Sequence, residues 1–484
     1  MKKRILALLL MAAMLISMCA ILSACDGDTV TDENGEVTGE TTGDGEQPEG
    51  EITFKLWDVN QKPGMDLMVA DYIDNVNPNA KINVEVLEWG LYWQAMEEDR
   101  EAGQMPDVVW MHSNYFAEYA EAGALLDVTD VVDASKFNAG MIDTFTVGDQ
   151  LLGVPKDNSA IAVIYNKTLF EAAGADLPTD SWTWDDFSAA AKAITDKGGD
   201  AVDVDGNKLD DKGEVVMIDD PEGALDDDGN VVQVPDQETV SIKTYGFAAD
   251  AGEDESGWLN TIYQAGGFTV KNDGDGTVTG YADPATIKGV EFYLGFQKDG
   301  QSPTQKDFTQ VGRNARFNNG TIGMMFVGNW TIGEFKDAIG DSFEWDFAVM
   351  PAGDGGCKTI SNGLIYSGYS GTQNPELTKD FLQYLASEAA QKIQSESGTA
   401  ISAYEGTGAA FSETFADLNV AAFTNMMADG NAVWYPTSPS KPEWVSLERG
   451  DGIEKMSGDI DNVNIADEMA IIDEAIKKVI ADNE

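Results

Sequence analysis

Histidine is all but missing: the 484 residues contain one, His112, and only three cysteines. A single imidazole rules out a metal site built on clustered histidines and leaves any Ser-His-Asp triad to that one residue. Basic residues are scarce too, 30 Lys and Arg against 85 Asp and Glu, for a formal charge of -55. Nucleic-acid binding needs clustered Lys and Arg to neutralise phosphate, so that class is excluded. The chain also lacks a G-x-S-x-G elbow, a P-loop, a full G-x-G-x-x-G turn and any internal repeat. What remains is 43% hydrophobic and 9% aromatic, ample for two or more lobes with cores of their own. The acidity favours solubility and says nothing of fold.

The first residues are a targeting segment. "MKKR" is a basic n-region, "ILALLLMAAMLISMCAI" an apolar core, and "LSAC" a small-residue cleavage site ending at Cys25. The competing reading is an uncleaved anchor, since the apolar run approaches the roughly 20 residues a bilayer needs. "LSAC" resembles the bacterial lipobox, which implies a signal peptide over 1–24 and acylation of Cys25, palmitate included, at the new N-terminus. Two acyl chains suffice for stable anchoring at the outer face of the membrane. Cleavage also removes Cys19 and leaves Cys25 and Cys357, so a lipidated Cys25 leaves no disulfide pair. Residues 25–50 follow as an acidic tether without Lys, Arg or aromatic side chains. Such a stretch cannot offset its ordering entropy and, as a coil, spans roughly 25 to 30 Å.

The body opens in an α/β rhythm. "ITFKLWD" (52–58), "KINVEVLEW" (81–89) and "DVVWM" (107–111) read as strands. Met65, Met68, Val69, Tyr72, Ile73 and Val76 fall at helical spacing between the first two, and "LYWQAMEEDREAG" is a helix closed by Gly103. Alternating strands and helices predict a parallel sheet with ligand sites at the carboxyl ends of its strands. Those ends carry Trp57-Asp58-Val59-Asn60, Glu88-Trp89 and His112-Ser113-Asn114-Tyr115, all rich in aromatic or amide groups.

A second section begins with the strand Ile161, Val163, Tyr165, the helix "NKTLFEAAG", and a helix after "SWTWDDF" with Thr183 and Asp186 spaced as a capping box. Residues 197–243 turn Asp- and Gly-rich, as an insertion of hairpins with Asp-Gly turns. "DVDGNKLD" fails the EF-hand spacing, because position 1 would be Ala201 and position 12 Lys212, so no metal is assigned. Asp283-Pro284 starts a further helix, and "RFNNGTIGMMFVGNW" (316–330) holds an apolar strand with Trp330 set just past its end. Asn374-Pro375 opens one long amphipathic helix over Leu377, Phe381, Leu382, Leu385, Ala389 and Ile393, closed by Gly398.

The order of these pieces, with "PDVVWMHSNYFAEYAEAGALLDVT", "LLGVPKDNSAIAVIYNKTLFEAAG" and "NPELTKDFLQYLASEAAQKI", resembles the family 1 extracellular solute-binding proteins, the maltose-binding-protein-like receptors of ABC importers. The resemblance runs from about 51 to 484. It implies an α/β fold of two lobes, the type II periplasmic-binding-protein-like fold, closing on a ligand by a hinge. By similarity, lobe 1 combines 51–156 with 361–396, and lobe 2 combines 160–356 with 401–484. In the family, the corner at "GNW" faces the cleft, which makes Trp330 a stacking platform and Asn329 its polar neighbour. A pyranose face suits an aromatic ring, and its hydroxyls suit planar amides and carboxylates. The same carry-over marks Asn114, where the maltose-binding relatives place an acidic contact, and Asp157 and Asn158 at the first crossing. It also marks Trp434 and Tyr435 as a late aromatic pair. Tyr115, Trp89, Glu88, Asn60, Trp258 and Gly363 complete the candidate contacts.

The implied activity is capture of a carbohydrate, a di- or oligosaccharide, and delivery to an ABC permease, with no catalysis and no cofactor. The expected protein is a monomer, tethered extracellularly by lipid. A sensing or adhesion lipoprotein of the same fold, or a glycoside hydrolase using two of the many carboxylates, are the alternatives.

Overall fold

The computed structural model describes residues 47–198, 217–219, 224, 230–235, 243–272, 277–427, 430–435, 438 and 440–483. The expected signal peptide 1–24, Cys25, nearly all of the expected tether and the "DVDGNKLD" stretch lie outside these residues. Within the insertion, Met217–Asp219 pairs antiparallel with Gln233–Pro235. No helix among the described residues is long and apolar enough to cross a membrane.

Two sheets organise two separate hydrophobic cores. The first has five strands in the order Ala80–Val86, Gly50–Leu56, Val108–His112, Gly363–Gly368, Val154–Asn158. Its three N-terminal strands are parallel, as their alternation with helices predicts. Gly363–Gly368 runs antiparallel to both its neighbours, so the sheet is mixed rather than all parallel. That strand returns from the other lobe and enters the sheet from the opposite end, which no local pattern records. The second sheet orders Tyr245–Phe247, Ile322–Gly328, Ile161–Asn166 and Trp345–Ala348.

The first core gathers Phe54, Tyr72, Trp110, Phe116 and Phe381. The second gathers Ile164, Phe187, Phe247, Trp258 and Phe326. The chain changes core between Val154 and Ala160, between Ile360 and Leu364, and between Ala390 and Ile401, and Ala403 packs once more in the first core before Phe411 joins the second. The three passages are laced together. Asn158 N–H donates to the Ile401 carbonyl (2.9 Å), Ala403 N–H to that of Lys156 (3.1 Å), and Ser361 Oγ to that of Ser159 (2.8 Å).

Local signals set most helix ends. Thr183 and Asp186 form the reciprocal capping box, Gly103 and Gly174 close their helices in the left-handed conformation, and Asp283 caps the helix that Pro284 opens. The single helix expected from 375 to 398 is instead two, Pro375–Leu385 and Glu388–Glu396. Ser387 caps the second by accepting the Ala390 N–H, and the break advances the phase so that Ala390 is buried and Ala389 exposed. Ser at the junction competes for backbone donors, which a count of apolar positions overlooks.

Candidate functional site

A cleft of about 710 Å³ lies where the strand ends of both sheets meet. On the first lobe it is lined by Trp57, Asp58, Gln61, Trp89, His112, Asn114, Tyr115 and Asp157, and on the second by Gly252 to Glu255, Trp330, Pro442, Val445, Ser446 and Arg449. Ser159, Asn362, Gly363 and Leu364, from the first two crossings, complete it.

The first-lobe wall is aromatic. Trp57 follows directly on its strand and meets Trp89 edge to face, with centroids 5.0 Å apart. Trp93 stacks on Tyr115 at 3.7 Å and 17°, which holds the Tyr115 ring in place. His112 ends its strand with its ring edge-on to Trp89 at 5.5 Å. Its Nδ1 accepts the Asn114 backbone N–H (3.1 Å), so a neutral ring carries its proton on Nε2. Nε2 faces Glu255 Oε2 of the second lobe at 3.7 Å. Asn114 has a buried Oδ1 without a donor among the described residues, an acceptor that a hydroxyl complements.

The second-lobe wall rests on two short stretches, Asp254–Trp258, kinked at Ser256 and Gly257, and the π-helical Leu447–Glu454, which bring Asp254, Glu255 and Arg449 to the cleft. Arg313 locks the first of them. Its guanidinium donates to the carbonyls of Ser256 (3.0 Å) and Phe326 (2.9 Å) and pairs with Glu253 at 2.9 Å. The acidic turn and the strand Ile322–Gly328, which leads to Trp330, therefore share one frame. Trp330 folds back over Gly328, where an added Cβ would lie 2.1 Å from the indole. Burial pushes the Asp254 carboxyl up, opposed by the Glu255 N–H and the Arg449 charge.

Beneath the cleft, Lys156 is wholly buried. It donates to Asp157 (2.7 Å) and Gln61 (2.8 Å) and lies 4.3 Å over the Trp110 ring. Behind Arg449 sits a second buried set. Glu448 accepts hydrogen bonds from the phenols of Tyr281 and Tyr435, and Lys441 lies 4.3 Å over the Tyr435 ring. Burial raises the Glu448 carboxyl to about 8 and lowers the Lys441 ammonium to about 7.

Of the residues singled out in the sequence, six line the cleft: Trp330, Trp89, Asn114, Tyr115, Asp157 and Gly363. The others lie elsewhere. Trp258 is fully buried in the second core, its indole N–H donating to the Ala251 carbonyl. Tyr435 is buried on Glu448, and Trp434 covers Gly140, where a Cβ would meet its indole at 2.3 Å. Asn329 and Asn158 serve the hinge, since Asn329 donates to the Asn158 carbonyl (2.7 Å) and Asn158 to that of Ser402 (3.1 Å). Glu88 caps the helix beginning at Trp89. Asn60 turns back through its N–H onto Asp58 and is exposed. Gly363 is small because Phe145 packs where its Cβ would stand.

Trp57, Asp58 and His112, named in the sequence as strand-end residues though not as individual contacts, line the cleft as well. Glu253 to Glu255 follow a strand of three residues, Tyr245–Phe247, too short to read, and Arg449 sits in a π turn with no sequence signature.

Residues 68–417 match the family model described as "Bacterial extracellular solute-binding protein". The chain belongs to this family. Among curated relatives of this solute-binding protein, putative binding proteins of Brucella abortus are 22% identical over 319 residues, 64% of this chain and 65% of theirs. The match thus spans about two thirds of those relatives' length. The diacetylchitobiose binding protein DasA of Streptomyces coelicolor is 22% identical across 93% of this chain and 91% of its own. Among solved structures, an ABC substrate-binding protein of Listeria monocytogenes in complex with cycloalternan superposes with a TM-score of 0.72. It is 20% identical and covers 90% of this chain and 99% of its own. The family and these neighbours are binding proteins, and the fold is the two-lobed one.

Proposed function

We propose that this solute-binding protein is the receptor of an ABC importer, taking a di- or oligosaccharide into the cleft and presenting it to a permease on separate chains. The observation that carries the reading is the pairing of aromatic rings from both lobes, Trp57, Trp89 and Tyr115 facing Trp330, with amides and carboxylates set between them. Rings of that kind suit the C–H faces of pyranoses, and the polar groups suit their hydroxyls. The sugars in the names of DasA and of the Listeria complex support the same class.

The mechanism is capture without chemistry. Lobe 1, residues 51–156 with 361–396, and lobe 2, residues 160–356 with 401–484, turn about the three crossings. A ligand touching both lobes favours the closed form by its differential affinity for the two states. Cys25 carries the lipid that keeps the monomer at the outer face of the cytoplasmic membrane. Titration with mono-, di- and oligosaccharides, followed by tryptophan fluorescence and melting temperature, tests the reading. Saturable binding with the sugar recovered intact is expected. Consumption of the sugar would show a glycosidase, and silence across the panel would reject carbohydrate as the ligand class.

A further inference from the structure

Five carboxylates line the cleft, those of Asp58, Asp157, Glu253, Asp254 and Glu255, against one guanidinium, Arg449. Two of the five have cations of their own: Asp157 is held by Lys156 at 2.7 Å and Glu253 by Arg313 at 2.9 Å. The other three do not. Among the described residues, Asp58 accepts from the neutral Asn60 N–H and Gln61 side chain, both at 2.8 Å, and Asp254 from the Glu255 N–H at 2.7 Å. Glu255, its side chain 17% exposed, meets the His112 ring at 3.7 Å. Among the described residues, no Lys or Arg nitrogen lies within 4.0 Å of these three carboxylates.

Sheltered carboxylates without a cation are costly, and closing the lobes over a neutral ligand would strip more water from them. The buried ammonium of Lys441 lies over the Tyr435 ring and feels Glu448 ahead of Glu255 and Asp254, and it hydrogen-bonds none of them among the described residues. Opposite Glu255, past His112, stand the indoles of Trp57 and Trp89, whose π faces attract a cation. Anionic groups meet repulsion from the same carboxylates.

We propose that the cleft selects a glycan bearing a free ammonium group, an amino sugar without its N-acyl cap, with the ammonium held between Asp254 and Glu255 on one lobe and the Trp57–Trp89 wall on the other. The inference rests on the carbohydrate reading and narrows it. A ligand ammonium supplies the contact cation that three cleft carboxylates lack, Asp254 feeling only the more distant Arg449 charge, whereas an N-acetyl or hydroxyl group at the same carbon does not.

Matched disaccharides separate the possibilities, measured by calorimetry on the full chain. One set is cellobiose, its diamine counterpart of two β-1,4-linked glucosamines, N,N′-diacetylchitobiose and a cellobiose with one ring oxidised to the uronate; the other is the α-1,4-linked equivalent. The expected result is that the amine binds at least tenfold tighter than the hydroxyl and N-acetyl members of its set, and that the uronate does not bind. Salt raised from about 0.05 to 0.5 M should weaken the amine far more than the neutral sugars. Glu255→Gln should bring the amine-to-hydroxyl affinity ratio toward one. Neutral or acylated members binding as well as the amine, with no salt effect, would overturn the inference and leave the receptor reading standing. Silence from every sugar in both sets would overturn both.

Discussion

Trp330 and Trp258 are the same side chain in opposite circumstances. Trp330 is partly exposed on the cleft, while Trp258 is sealed in the second core with its N–H satisfied. Trp330→Ala is expected to weaken sugar binding by tenfold or more, about 1.4 kcal/mol per factor of ten, with little change in melting temperature. Trp258→Ala is expected to cost about 3–5 kcal/mol of stability, read by denaturant titration, because it opens a large cavity. An equal affinity loss in both variants would show that Trp330 acts through the fold. The contrast was half legible in the sequence. Trp330 stands just past the end of an apolar strand, where an amphipathic ring has no need to be. Trp258 follows an acidic stretch that looks like a loop, and only the tertiary packing of Ala251 and its neighbours makes it core.

At the scale of the element, the cleft depends on backbone that no ligand touches. Gly328 has ordinary extended torsions, so Ala fits its backbone, yet a Cβ there would strike the Trp330 indole at 2.1 Å. Gly328→Ala should therefore displace the ring and weaken sugar binding in the direction of Trp330→Ala, while circular dichroism stays unchanged. The first crossing makes a second case. Lys156→Met leaves the Asp157 carboxylate buried and without its cation, and should cost about 3–5 kcal/mol, part of it recovered when Asp157→Asn is added. If the double variant is no more stable than the single one, the pair is not what holds this crossing. Strands, caps and the helix order could be read locally, since Thr183, Gly103 and Pro284 carry their signals within a few residues. The antiparallel strand Gly363–Gly368, the break at Ser387 and the π turns could not, since each depends on where distant chain returns.

Over the whole molecule, acidity and burial together set the response to pH. Burial lifts Glu448 from 4.5 to about 8, so in that window the folded chain keeps a proton that the unfolded chain releases, and stability falls as pH rises. Burial drops Lys441 from 10.5 to about 7, so above that value the unfolded chain holds the extra proton and stability rises with pH. The minimum is expected near neutral to mildly alkaline pH, with a higher melting temperature in weak acid. Glu448→Gln should flatten the slope on the acid side; an unchanged slope would show that Glu448 contributes none of it. The α/β pieces were readable from the sequence, and the two-lobed plan followed only from the family resemblance that their order carries. The acidic face of the second lobe was not, because Glu253 to Glu255 and Arg449 come together from places nearly two hundred residues apart.

Solitude gives His112 one further property. Its ring bridges the gap to Glu255, and no second imidazole competes with it anywhere in the chain. A proton spectrum therefore contains one ε1 resonance to follow, already assigned by arithmetic. Opening and closing alter the carboxylate beside that ring, so the resonance reports lobe position without any label. If exchange is slow, its two peak areas count the open and closed molecules directly.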